Sequence, residues 1–174
     1  MSVPTSKNLG NFAGIWAFNA QKSDLHKLGD YFKLKGAKST GDQKKDIDHI
    51  GIEITSPDFA STTKWDHCLD YEWRNYEDAI DGVGQMRTGY ISLGEIEETY
   101  LKGEWLEGEG EVARPDGKNL VMNEIKSKNH GWVETQIWGF EKVDGERKHT
   151  KRVRLVTAQG EVIEMRAVYD FVEE

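Results

Sequence analysis

Apolar and polar residues alternate along most of this chain, which is the pattern of β-strands that bury one face. The first alternating segment is short and carries Phe12, Gly14, Trp16 and Phe18 on one side. The clearest one predicts an extended segment with five large residues on a shared face: Trp65, His67, Leu69, Tyr71 and Trp73. Both segments are therefore predicted to contribute one face to a buried interior.

Further strands are predicted where the same alternation recurs, over residues 47–54, 86–93, 99–106, 119–126, 132–140, 150–157 and 162–172. Tight turns are expected at Asp116-Gly117, Asp144-Gly145 and Gln159-Gly160. A short helix is predicted after the first strand, with Ser23 as its N-cap and Gly36 at its end. Residues 75–85 show the least regular pattern and are expected to form a helical turn or a loop.

These elements predict a mainly β fold, an up-and-down antiparallel β-barrel of roughly nine or ten strands with one early helical segment. A βαβ sheet is disfavoured because it needs a helix at each crossover. At 174 residues the chain is expected to form a single domain over residues 1–174. A barrel with this number of strands is wide enough to hold a small ligand.

The charge and the cysteine content narrow the expected partners. Lys and Arg number 23 against 31 Asp and Glu, so the surface repels nucleic acid and anionic lipid headgroups. Cys68 is the single cysteine, which rules out an intrachain disulfide. No apolar run has the length of a signal peptide or a membrane span. We therefore expect a cytoplasmic protein that does not insert into membranes.

Both ends of the chain resemble one group of proteins. Residues 12–16, read as Phe-Ala-Gly-Ile-Trp, are similar to the F-x-G-x-W start of the intracellular fatty-acid-binding proteins and to the G-x-W of the lipocalins. Residues 165–170 resemble the last strand of the former family. This resemblance, to the calycin superfamily, implies a barrel around a hydrophobic ligand whose carboxylate is bound by an R-x-Y pair. Arg166 and Tyr169 are three positions apart, however, so on an ideal strand Ala167 shares the face of Tyr169.

The sequence contains no metal-ligand spacing, dinucleotide fingerprint or phosphate-binding loop, so no metal and no cofactor are expected. Two aromatic faces are the main candidates for ligand binding, although ordinary core packing explains such faces equally simply. The candidate ligand-binding residues are Trp65, His67, Tyr71, Trp132, Gln136, Trp138, Arg154 and Tyr169. If the protein is an enzyme, the candidate acid–base residues are His67, Tyr71 and Glu134.

Three functions fit these residues. The first is lipid-binding in the manner of the fatty-acid-binding proteins, in which the barrel holds a small hydrophobic molecule, including a carboxylated one. The second is a cofactor-independent isomerase, cyclase or dehydratase that acts on a hydrophobic metabolite in the same barrel. The third is a protein-interaction module with a packed barrel. Two titratable groups that reach one ligand would favour the enzyme, whereas a single group would favour binding. The ligand and the oligomeric state stay open.

Overall fold

The computed structural model describes residues 2–24, 48–56, 61–78, 82–106 and 116–173. Strands dominate these ranges, together with a 3-10 turn at Leu93–Glu95 and a short helix α1 at Thr99–Lys102. The strands are β1 (Ile15–Phe18), β2 (His49–Ser56), β3 (Ser61–Cys68), β4 (Arg74–Asp78), β5 (Gly82–Ile91), β6 (Leu120–Ser127), β7 (Val133–Val143), β8 (Glu146–Val156) and β9 (Val162–Glu173). The mainly β fold class is confirmed.

Seven of these strands form one antiparallel sheet in the order β1-β9-β8-β7-β6-β5-β4. From β4 to β9 each strand pairs with its successor along the chain, and β1 then pairs with β9. Up-and-down connectivity of this kind curls a twisted sheet into a half-barrel. The hairpin of β2 and β3 forms a second sheet that packs on the concave side, where the rings of His67 and Trp138 lie 4.9 Å apart.

We call this concave side the interior face. It includes the side of the large sheet that carries Val121, Trp138 and Phe140, all of them buried. Residues before β1 close one end of it, because Arg147 donates hydrogen bonds of 2.9 and 2.8 Å to the carbonyl oxygens of Pro4 and Lys7. The core at this end consists of Val3, Leu9, Phe12, Trp16, Ile50, Ile52, Leu69, Val121, Trp138 and Phe140. Trp16 is fully buried there, in keeping with a structural role.

The opposite side of the large sheet, which we call the outer face, is covered by residues 93–106. Trp105 packs directly on Gly139, where an added Cβ would lie 2.7 Å from the indole. The predicted strand over residues 99–106 is wrong, because this stretch holds helix α1 instead. Leu101 in α1 and Trp105, which follows the helix after Gly103, both pack against the sheet, and the indole nitrogen of Trp105 donates to the carbonyl of Leu101 at 3.0 Å.

Two further expectations need correction. Residues 75–85 are not a loop throughout, because they include most of β4 and the start of β5. The long aromatic segment also ends early: β3 stops at Cys68, and Tyr71 has a left-handed backbone with φ of 62°. Asp70 stabilises this turn by accepting hydrogen bonds from the backbone of Glu72 and the side chain of Arg74.

Other local expectations are met where the structure describes them. Asp144 and Gly145 both have positive φ, as the two-residue turn between β7 and β8 requires. The N-cap predicted at Ser23 stays untested; its hydroxyl instead accepts a hydrogen bond of 2.8 Å from the backbone nitrogen of Val168, which holds the chain after β1 against β9. The predicted helix that follows Ser23 lies outside the described residues.

Candidate functional site

Several polar side chains lie on the interior face among aromatic rings, and strand pairing determines which of them meet. In one row across the sheet, Thr88 pairs with Asn123, and Asn123 pairs with Gln136. In the next row Trp138 pairs with Lys151. Residues directly opposite in such ladders have neighbouring side chains on one face. Gln136 and Trp138 lie two positions apart in β7, so the two rows adjoin, and we call their side chains the polar group.

His67 reaches this group from β3. Its Nδ1 lies 3.1 Å from the hydroxyl of Thr88, which in turn donates to Oδ1 of Asn123 at 2.8 Å. Because the single hydroxyl proton is used on Asn123, Thr88 must accept from His67, so Nδ1 carries the proton and Nε2 is the open acceptor. Burial, aided by the charge of Lys151, lowers the pKa of His67 to about 3. The imidazole is therefore neutral at physiological pH.

A second chain of hydrogen bonds runs along β7. The indole nitrogen of Trp138 donates to Oε1 of Gln136 at 2.7 Å, and Nε2 of Gln136 donates to Oε1 of Glu134. An indole N–H can only donate, so it fixes the orientation of the Gln136 amide. The amide then holds the Glu134 carboxylate on the same interior face.

Lys151 lies on β8, directly opposite Trp138 of the second chain. Its Nζ is 4.0 Å from the centre of the Trp138 ring and 5.6 Å from that of Tyr169. Burial lowers the pKa of Lys151 to about 8, against the opposing effect of Glu134. In the described part of the chain Lys151 forms no direct ion pair with a carboxylate, so its positive charge is stabilised by the aromatic faces and by the charge of Glu134.

His149 has a different environment at the closed end. Its Nδ1 donates to the carbonyl of Gly139 at 2.9 Å, and its ring contacts Phe12, Trp16 and Phe140. Burial lowers the pKa of His149 to about 3, with Lys151 adding to the effect. His149 is therefore a neutral part of the packed core.

Exposure changes along the interior face. Phe140 and Trp138 are buried, whereas Gln136, Glu134 and Lys151 retain part of their accessible surface. The polar group therefore lies where the packed end gives way to a region that a ligand can reach. Chemically it offers a neutral acceptor at His67, a cationic donor at Lys151 and a carboxylate at Glu134, beside flat aromatic walls.

The structure brings together most of the residues singled out from the sequence. Six of them contribute to the interior face: Trp65, His67, Glu134, Gln136, Trp138 and Tyr169. Trp132 lies just before β7 and is partly buried. Arg154 points instead to the outer face, where its Nε lies 3.6 Å from Glu98. Arg154 thus does not join the group.

Tyr71 also lies apart from His67, contrary to the shared face that the sequence predicted. Its hydroxyl donates to Glu124 on the outer face at 2.6 Å, and the Arg87 guanidinium lies 4.1 Å from its ring centre. Burial and the hydrogen bond to Glu124 raise the pKa of Tyr71 to about 12. Tyr71 and His67 lie on different faces because of the left-handed turn at Tyr71, which carries the chain around the edge of β5.

The end of the chain also differs from the pattern that the resemblance implied. Arg166 pairs with Arg152 on the outer face, while Ala167 and Tyr169 face the interior. Strand β9 keeps a regular register from Val162 to Tyr169, so no bulge turns Arg166 inward. The cation beside Tyr169 is instead Lys151, which pairs with Ala167.

Sequence reasoning missed Lys151. The available signal was that Lys151 shares one side of β8 with Val153 and Leu155, whereas Arg152 and Arg154 lie on the opposite side.

Among the described residues, no three His, Cys, Asp or Glu side chains are arranged to hold a metal ion. The same part of the chain contains no helix long and apolar enough to cross a membrane.

Comparison with known proteins gives one relative of similar length. The chain is 23% identical over 188 aligned positions to a protein of Mollisia scopiformis named "Probable pericyclase scpY", and the alignment covers 98% of this chain and 95% of that protein. No protein-family model matches the chain, and no solved structure matches it. The resemblance to calycins consequently stays a prediction, whereas the curled antiparallel sheet is established.

Proposed function

We propose that this chain is a cofactor-independent cyclase or isomerase that closes or rearranges a ring in a hydrophobic metabolite. The observation that carries this proposal is that His67 and Lys151 both contact the indole of Trp138. A ligand beside Trp138 would meet a neutral acceptor and a cationic donor together. Two such groups at one place favour chemistry over simple retention of a ligand. The likeness to a protein named as a pericyclase supports the same class of reaction.

An intramolecular ring closure makes modest chemical demands that fit this site. The atoms of the product are those of the substrate, so the reaction needs neither an oxidant nor a transferred group. The protein must hold a flexible chain in the folded conformation from which the ring closes, and the aromatic walls would do this. Lys151 would stabilise negative charge that builds up on a substrate oxygen as the bonds rearrange.

The candidate residues then have distinct roles. Trp65, Trp138 and Tyr169 would pack against the hydrocarbon part of the substrate. His67 would accept a hydrogen bond from a substrate hydroxyl through Nε2, and Gln136 would hold the Glu134 carboxylate in place. The proposal treats residues 1–174 as a single domain with a small hydrophobic molecule as its partner.

The test is turnover of linear substrates that carry a conjugated diene and an alkene activated by a carbonyl group. Chiral liquid chromatography with mass spectrometry would follow each substrate in the presence of the purified protein. We expect a product of unchanged mass, a new retention time and one dominant stereoisomer. A substrate that binds stoichiometrically and is recovered unchanged would instead support the non-catalytic binding protein.

A further inference from the structure

Building on the proposed cyclase or isomerase, we infer that its substrate binds as a conjugated oxygen anion, of the enolate class, and that Lys151 holds this anion beside Trp138 and Tyr169. The inference rests on the environment of one ammonium group. It specifies the chemical class of the substrate, which the proposed function leaves open.

Two other cations on the large sheet have carboxylate partners at contact distance, and Lys151 differs from them. Lys148 lies 2.6 Å from Asp170, and Arg152 lies 2.7 Å from Glu141. Nζ of Lys151 instead lies over ring faces, 4.0 Å from the centre of Trp138 and 5.6 Å from that of Tyr169. A charge removed from water without a counter-ion is costly, so such a group is retained in a site only where something else offsets that cost. An anionic ligand would do so.

Among the described residues, no carboxylate of the interior face pairs directly with Lys151, although the charge of Glu134 offsets part of the effect of burial. Glu134 carries the nearby negative charge, but one of its oxygens accepts a hydrogen bond from Gln136. The Gln136 amide cannot reverse, because its oxygen already accepts from the donor-only indole of Trp138. His67 is neutral and adds no negative charge. The place beside Nζ is therefore suited to an anion brought by the ligand.

The shape of the surroundings favours a flat anion. Nζ lies over the Trp138 ring and near that of Tyr169, so a group that reaches it passes along aromatic surfaces. A planar conjugated system stacks on such surfaces, whereas the carboxylate of a saturated chain offers no extended plane. An acidic enol has a pKa below that of Lys151, which is about 8. At neutral pH the enol is therefore an anion while the lysine is still a cation.

The test uses a non-reactive probe and calorimetry, so it measures binding without turnover. The probe is 2-octanoylcyclohexane-1,3-dione, an acid that is ionised at neutral pH. Its enol methyl ether is the matched neutral compound, and decanoate is the matched saturated carboxylate. We expect the ether to bind about 10- to 100-fold more weakly than the dione, which is the loss of a charged hydrogen bond. Lys151→Met should weaken binding of the dione by a similar factor.

Two controls keep the result interpretable. Lys102→Met removes an exposed lysine from α1 and should leave the affinity unchanged. In the unaltered protein, raising the pH from 7 to 9.5 should weaken binding by up to about 30-fold as Lys151 loses its proton, and this needs no variant that might misfold.

Equal affinity for the dione and its ether, or an affinity that does not change with pH, would overturn the inference. Tighter binding of decanoate would also overturn it and assign Lys151 to a fatty carboxylate. A different result would refute the proposed function and leave this inference intact. In that case the dione would bind through Lys151 and no substrate would be isomerised.

Discussion

The unpaired ammonium of Lys151 should make the protein more stable as the pH rises. The pKa of this group is about 8 in the folded protein and 10.5 in an unperturbed lysine. Between these values the unfolded chain binds more protons than the folded one, so stability increases with pH across that window. The separation corresponds to about 3 kcal/mol, an upper bound because the partly exposed side chain keeps some solvation.

Urea denaturation of the unaltered protein and of Lys151→Met at intervals from pH 7 to 11 would measure this effect. Methionine has a similar length and no charge, so at pH 7 the variant should be about 1 to 3 kcal/mol more stable. The difference in the free energy of unfolding between the two proteins should vanish by about pH 11. Three titratable groups that face Lys151 keep their protonation in this range, since the pKa values are about 3 for His67 and His149 and about 12 for Tyr169. Glu134 favours the charged lysine, so its loss of this partner in Lys151→Met reduces the expected difference at pH 7.

Lys102→Met provides the control, because it removes one positive charge from an exposed position. Its stability relative to the unaltered protein should not change between pH 8 and pH 10.5. A gap between Lys151→Met and the unaltered protein that stays constant over this range would refute the reasoning. So would a variant that is less stable at pH 7, because the lysine would then have a counter-ion.

Two further substitutions test the packing around the site. In urea denaturation, Thr88→Val should lower the free energy of unfolding by about 2 to 4 kcal/mol, because it leaves buried groups of His67 and Asn123 without their hydrogen bond. Thr88→Ser keeps the hydroxyl and should retain most of the stability. Gly139→Ala should lower the free energy of unfolding by about 1 to 3 kcal/mol, because its Cβ would lie 2.7 Å from Trp105. Unchanged stability in Thr88→Val or in Gly139→Ala would contradict the packing described.

The fold was predictable because period-two alternation survives along most of the strands. Strands β6, β7 and β9 lie close to where the pattern placed them. Helix α1 was missed because tertiary packing buries Leu101 in this single turn and Trp105 just after it, and a local alternation does not encode such packing. The face of Tyr71 was missed because one left-handed residue after β3 reverses which side the following aromatics occupy.

The site was only partly predictable, for a related reason. His67 and Gln136 stood out because they interrupt aromatic faces. Lys151 did not, because a lysine in a strand is ordinarily assigned to solvent, and only the pairing of β8 with β7 sets its side chain against Trp138. The tautomer of His67 likewise depends on Thr88, which is far away in sequence.

The most direct test of the central claim is the rate of isomer formation by the unaltered protein, Lys151→Met and Lys102→Met on one linear polyene carbonyl substrate. We predict a rate above that in buffer for the unaltered protein and for Lys102→Met. Lys151→Met should lose about 100- to 1,000-fold in kcat, the usual effect of removing one donor to a developing oxyanion. A rate equal to that in buffer, or an equal rate for Lys151→Met, would contradict the account.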